Sequence, residues 1–394
     1  MAKGAWIGIS AKARKIKNIY IGIGGKARKV KKAYIGIGGK ARLCFSSGGE
    51  ITKYTGTVTD LQSYGKTGHA GGSVGGYAIF LGGDSTGNTG TKYIDIYSSS
   101  LVTTKRSGTY KMLDGCNSAT IGNLAIFNGG EATGSGGMGL TYGYTFNNSL
   151  TMTQLTNFYK GNSDCAAASN GTYAFFAGGF YYSRPESSYK TNRVNSVYYY
   201  NSSGTATAAS STLPTKVYGH GGGRVGNYVV FAGGDSSSGN LTTVVAYNTS
   251  ATQTTCSAIS LARRYIKTGS SGVNKYVIFA GGHGHPNGVS RETATDNVDI
   301  YNESLTKSLK TLSNPRMEHT GGTAGDVAVF AGGGTAGTTG QLATVIYFDD
   351  SLTEKTSSNL SSSMRNGASA VAGEYFLISG GTTHTNTVDA YKFS

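Results

Sequence analysis

Proline is scarce in this 394-residue chain, with four copies, and no long Ala/Leu/Glu/Lys pattern of the kind that makes helices follows residue 45. Tryptophan occurs once, as Trp6. Four cysteines over this length do not make a disulfide framework. The 20 acidic residues are mostly isolated, so the paired carboxylates that glycoside hydrolysis needs cannot be placed. No apolar run approaches the roughly 20 residues of a membrane-spanning helix. The start, MAKGAWIGISAKARKIK, lacks the continuous apolar stretch of a secretory signal, and we expect synthesis in the cytosol without cleaved-signal export. What the chain has instead is 62 glycines, 27 tyrosines and much Ser, Thr and Asn. That mixture suits an all-β protein with many turns, because Gly and Asn supply the positive φ angles of tight turns.

The net charge of +15 is unevenly spread. Residues 1–49 hold 12 of the 35 Lys and Arg and no acid, which leaves only +3 for the other 345 residues. The basic character belongs to a segment, so a nucleic-acid role for the whole protein is not implied.

One phrase recurs seven times: YAIFLGGD (77–84), LAIFNGGE (124–131), YAFFAGGF (173–180), YVVFAGGD (228–235), YVIFAGGH (276–283), VAVFAGGG (327–334) and YFLISGGT (375–382). The first glycines of the pairs fall at 82, 129, 178, 233, 281, 332 and 380, a period near 50. A hydrophobic strand ending in Gly-Gly at that period predicts a β-propeller. The pattern resembles kelch repeats over about residues 50–394, although the outer-strand Trp of those repeats is missing. The resemblance implies a seven-bladed propeller with four strands per blade. The last repeat stops after its third strand, TVDAYKFS, while EITKYTGTVTDL (50–61) reads as an outer strand ahead of the first blade. The N-terminal strand is therefore expected to close the last blade and remove an exposed edge. Two domains follow: a basic β-repeat segment at 1–49 and the propeller at 50–394.

The third strands end at Tyr97, Phe146, Tyr200, Tyr247, Tyr301, Phe348 and Tyr391. From each aromatic to the next Gly-Gly the distance is 31–34 residues, whereas from Gly-Gly to the aromatic it runs from 11 to 22. Length variation thus sits between second and third strands, and these loops should share a face with the blade-to-blade connections. Loops on a rigid scaffold carry recognition. The two longest contribute Tyr181, Tyr182, Arg184, Tyr189 and Arg193, and His283, His285 and Arg291. Tyr and Arg are enriched at binding surfaces, and Tyr faces stack on sugar rings.

Thirteen residues before each Gly-Gly stand His69, Cys116, Cys165, His220, Thr268, His319 and Gly367, a predicted ring at the channel mouth. His and Cys are metal-ligand types, but side chains a channel apart cannot share one ion at about 2 Å. Only the neighbours His69, Cys116, Cys165 and His220 qualify together, and their spacing is repeat spacing with no CxxC or HxxxH. We expect no metal and no other cofactor. We find no catalytic residues, neither the copper site of galactose oxidase-like propellers nor the Asp-box of propeller sialidases, and expect no enzyme.

Residues 1–45 carry a second repeat, in which Trp6, Tyr20 and Tyr34 stand 14 apart and Gly-Gly turns separate aromatic-led and basic strands. This predicts β-hairpins in a small meander, too short to bury a core alone. The units resemble YIGIGGKAR repeats at the front of tail- or virion-associated proteins of phages and prophages of Gram-positive, Clostridia-like bacteria. The resemblance implies an attachment or oligomerisation segment joined to other virion proteins. Twelve charges interleaved with aromatics leave binding of a nucleic-acid strand, or of an anionic surface, as competing readings. Together these features lead us to expect a virion protein assembled in the host cytoplasm, without membrane insertion, whose propeller binds a cell-surface glycan or protein. The alternative is structural decoration or a protein–protein module.

Overall fold

The computed structural model describes every residue from 49 to 393 except 63–67, 86–88, 91–92, 108–114, 128–129, 131–142, 156–162, 184–189, 273, 285–292, 336–339 and 382–385. Of residues 1–48 it describes only six strand backbones. All regular elements among the described residues are strands.

Seven antiparallel sheets form a seven-bladed β-propeller. Blade 1 comprises Ala70–Val74, Tyr77–Leu81, Tyr93–Tyr97 and Thr103–Ser107, from channel to rim, and blade 2 Ser118–Ile121, Leu124–Phe127, Gly143–Asn147 and Met152–Leu155. Blade 3 is Ala166–Ser169, Ala174–Ala177, Val197–Tyr200 and Ala206–Ala208, and blade 4 Gly221–Val225, Tyr228–Ala232, Val244–Tyr247 and Gln253–Thr255. Blade 5 is Lys267–Ser271, Tyr276–Ala280, Thr293–Asn302 and Lys307–Arg316; blade 6 is Thr320–Ala324, Val327–Ala331, Val345–Phe348 and Glu354–Ser357. Blade 7 has only three strands of its own, Ala368–Ala372, Tyr375–Ser379 and Val388–Phe393. Ile51–Lys53 supplies its fourth, with Phe393 opposite Ile51 and Tyr391 opposite Lys53. The expected closure holds, but the closing strand is three residues long. Residues 54–61 run on as irregular chain, tied by Tyr54 N to Ala390 O and Leu61 N to Asn386 O at 2.8 Å each.

The recurrent Gly-Gly has a specific cause. In the six pairs described in full both glycines take positive φ, for example +68° at Gly233 and +96° at Gly234. A Cβ on Gly233 would lie 2.7 Å from the carbonyl oxygen of Arg263 in the next blade. In four of the pairs the second amide donates to that next blade: Gly179 N to Val217 O, Gly234 N to Arg263 O, Gly282 N to Arg316 O and Gly333 N to Met364 O, at 2.7–2.9 Å. Only glycine permits both the conformation and the approach. In these four copies the phrase is a backbone weld between blades.

Two further devices follow from the repeat. Inner-strand hydroxyls donate to carbonyls of the preceding blade, as in Thr120 to Ser73 O, Thr268 to Gly222 O and Ser270 to Arg224 O at 2.6–2.7 Å. The third-strand aromatics are fully buried, and four donate their hydroxyl to a carbonyl of the segment entering their blade: Tyr97 to Thr59, Tyr247 to Ser211, Tyr301 to Ser257 and Tyr391 to Ser358. Each such bond is worth about 1 kcal/mol. Phe146 and Phe348 fill the same position without a hydroxyl. Tyr301→Phe should therefore lower the unfolding free energy by about 1 kcal/mol with unchanged cooperativity, measured by urea denaturation.

In the N-terminal segment the hairpins are present: Trp6–Ile9 with Lys12–Lys15, Ile19–Ile23 with Lys26–Val30, and Lys32–Ile37 with Lys40–Ser46. They form three separate two-stranded sheets, so the expected meander is corrected: no described strand pairs from one hairpin to the next.

Candidate functional site

In four blades the described roots of the irregular connections share one face. Residues just after each Gly-Gly pair with the residues leading into the inner strand of the same blade: Phe180 with Ser163, Asp235 with Tyr218, His283 with Arg264 and Gly334 with Met317. Second-to-third-strand loops and blade-to-blade connections therefore meet around one mouth of the channel. There a cavity of about 230 Å³ is lined by residues from all seven blades.

The lead-in turns place the side chains. The residue before the ring position, which in blade 5 is Ile266, has positive φ in every blade: Gly68, Gly115 and Gly219 in three, but Asp164, Tyr265, Glu318 and Asn366 in the others, at +51° to +54°. Asp and Asn tolerate this region; Tyr and Glu rarely adopt it. Strain of this kind costs on the order of 1–2 kcal/mol per residue and concentrates at functional sites.

The strained residues belong to a continuous network over five blades. The Tyr218 ring is packed edge-on by Phe180 at 5.2 Å, and the Arg193 guanidinium lies over it at 5.0 Å. Arg193 Nη2 donates to Asp235 Oδ2 at 3.0 Å. Arg264 Nη1 donates to the Tyr218 hydroxyl at 2.8 Å and to Asp235 Oδ2 at 3.4 Å, with its guanidinium 5.3 Å from the Tyr265 ring centre. Tyr265 meets His283 edge-on at 5.3 Å, His283 Nε2 stands 3.3 Å from Glu318 Oε1, and Arg365 Nη1 donates to Glu318 Oε2 at 3.3 Å. Burial, then the bond to Asp235, raises the Tyr218 hydroxyl pKa; burial pushes that of Tyr265 far up. The contact with His283, reinforced by Arg365 and opposed by burial, holds the Glu318 carboxyl below its usual value. The result is a platform of neutral phenols and fixed guanidiniums, presenting aromatic faces and planar donors.

Of the loop residues singled out by sequence, Arg193 and His283 are members of this network. Tyr181 lines an adjacent groove with Asn192, Arg193 and Lys216. Arg184, Tyr189, His285 and Arg291 lie outside the described residues, as does the side chain of Tyr182, and only the backbone is described at Trp6, Tyr20 and Tyr34. Sequence reasoning missed Tyr218, Arg264, Tyr265 and Glu318. Their signal was the run KVYGH, RRYIK and RMEHT ahead of successive inner strands, with Tyr265 and Glu318 at the turn position that is glycine in blades 1, 2 and 4.

The predicted ring is arranged differently from a ligand set. His69, Cys116, Cys165 and His220 line the mouth, but the histidines lean into the seams between blades. His69 Nε2 stands 2.9 Å from Ser379 Oγ of blade 7, a Cβ on Gly178 of blade 3 would touch His220 Cε1, and one on Gly281 of blade 5 would touch His319 Cε1. Each ring also packs on a second-strand phenylalanine, Phe80, Phe231 or Phe330. Among the described residues no three His, Cys, Asp or Glu side chains come together as a metal site. Burial lowers the His220 pKa to about 3 and drives the Cys165 thiol upward. In blade 5 the ring position is Ile266, not Thr268. The inner hairpin there turns over four residues, Gly272–Lys275, where blade 4 uses two, so a fixed count of thirteen overshoots by two.

No family model matches this chain, and no curated protein matches it.

Proposed function

We propose that the chain is a phage virion-associated receptor-binding protein. In this reading a kelch-like propeller presents its channel-mouth face to a glycan or protein on the host surface, and residues 1–49 attach it to other virion proteins. The observation that carries this reading is the convergence of strained Tyr265 and Glu318 with Arg193, Tyr218 and Arg264 on the one face that holds the irregular loops. Aromatic faces beside planar donors suit polyhydroxylated ligands, and the near-neutral propeller favours stacking and hydrogen bonding over bulk charge attraction. Three two-stranded hairpins, each marginal alone, support a segment completed by a partner or by copies of itself.

The test is adsorption of the labelled protein to Gram-positive, Clostridia-like cells. Tyr265→Gly installs the residue found at the same turn in blades 1, 2 and 4, so the fold is kept. It should cut adsorption at least tenfold, as should Arg193→Ala, with little change in the unfolding midpoint. Unchanged adsorption in both variants, or none by the parent protein to any surface, would leave a decorating structural module as the better description.

A further inference from the structure

Among the residues lining the mouth cavity, Lys267 is out of pattern. It is the first residue of the blade 5 inner strand, where the other blades carry Ala70, Asn117, Ala166, Gly221, Thr320 and Ala368. Its side chain is half-buried in the cavity lining, and its ammonium makes no hydrogen bond or ion pair with the described residues. The carboxylates of Asp164 and Glu318 act on it only at longer range, and burial, opposed by those two, pushes its pKa below the usual lysine value. Glu318 is already held by His283 and Arg365. Among the described residues around the mouth, Arg193, Arg264, Lys267 and Arg365 face Asp164, Asp235 and Glu318, one more cation than carboxylates. A half-buried ammonium that lines a cavity without a partner is matched by an anion or by several acceptors brought in together, since charge-assisted hydrogen bonds are the stronger kind. Below it, Thr268 and Ser369 spend their hydroxyl protons on Gly222 O and Gly321 O, so their oxygens remain free to accept from hydroxyl groups.

Resting on the receptor-binding reading, we propose that the channel mouth seats one acidic sugar unit, with its carboxylate or phosphate on Lys267, its hydroxyls on the rim of Ser and Thr oxygens, and a ring face toward Tyr265. The cavity, at about 230 Å³, suits a single sugar ring rather than an extended chain. The rest of the glycan then leaves across the Tyr218–Arg264 platform.

Calorimetric titration of the full chain with sodium glucuronate, glucose 6-phosphate and glucose tests this. At least one acidic sugar should bind ten times more tightly than glucose, and the preferred one identifies the anion. Lys267→Ala, which restores the residue type of blades 1, 3 and 7, should remove that preference, and Lys267→Arg should retain it. Equal affinity for glucose and both acidic sugars, no binding of any of the three, or a preference untouched by Lys267→Ala would overturn the proposal. Cell adsorption separates the two readings: loss with Tyr265→Gly but not with Lys267→Ala sinks the acidic subsite and leaves the receptor role standing.

Discussion

Arg263→Ala should lower the unfolding free energy by about 3–5 kcal/mol, the largest loss expected from a single side chain in this protein. Arg263 and Asp299 have no exposed side-chain surface, and Nη2 donates to Oδ2 at 2.9 Å. The guanidinium also donates to four carbonyls: Nε to Gly281 O at 2.9 Å, Nη1 to Leu261 O at 3.2 Å, and Nη2 to Phe279 O at 3.3 Å and Asn297 O at 3.5 Å. Truncation leaves the Asp299 carboxylate buried with only Ser260 N and Oγ close by, and Lys307 at 3.9 Å. A buried pair is weak support for stability in itself, but breaking one half of it is expensive. The corresponding positions of blade 4 are Val217 and Val245, both buried in one apolar cluster. The double variant Arg263→Met with Asp299→Val should therefore recover most of the loss. Urea unfolding of the single and double variants checks this, and a double variant no better than Arg263→Ala would show that the carbonyl bonds, not the stranded carboxylate, dominate.

Removing residues 1–62 should be comparably damaging, whereas removing 1–48 should leave the unfolding midpoint nearly unchanged. The stretch 51–62 buries Ile51 and Leu61, supplies the fourth strand of blade 7 and places Lys53 Nζ 2.8 Å from Asp389 Oδ1. It also offers Thr59 O to the Tyr97 hydroxyl, and Gln62 N donates to Asp95 Oδ1. Two buried aliphatic side chains contribute about 1.5–3 kcal/mol each, so the total loss is on the order of 5 kcal/mol. An open blade 7 also exposes the edge of Val388–Phe393, which invites pairing with another chain. Scanning calorimetry with size-exclusion chromatography should show a midpoint lower by on the order of 10 °C and a concentration-dependent larger species. Equal midpoints for the two truncations would mean that the toroid does not depend on its closing strand.

Much of this architecture is written locally. Gly-Gly at a period near 50 required positive φ and close backbone approach wherever it occurred, so blade number could be counted. The missing fourth strand of the last repeat and the spare one near residue 50 announced the closure. The split between constant and variable spacings located the face of irregular loops, and Arg193 and His283 were drawn from it. These features are legible because each depends on neighbours within one blade, or on a repeat with three strands of its own matched by a strand outside the repeats.

The site was less legible, for a geometric reason. Tyr218, the adjacent pair Arg264 and Tyr265, Glu318 and Arg365 lie in four successive blades, 46 to 53 residues from one blade to the next, and meet only because the toroid brings each lead-in turn beside the next. A single-blade pattern marks Tyr265 as an odd residue in a glycine's place; it does not say that Arg264 lies over it or that His283 abuts it. The ring histidines show the same limit. Period alone put them on a common circle, but the tilt of each inner strand aims them into the seams, and a four-residue turn in blade 5 moves Ile266 to the position that counting had assigned to Thr268. Repeats and turn chemistry set the blades and their closure, because those follow from backbone conformation; contacts between blades set the site, because they follow from the angle at which the blades pack.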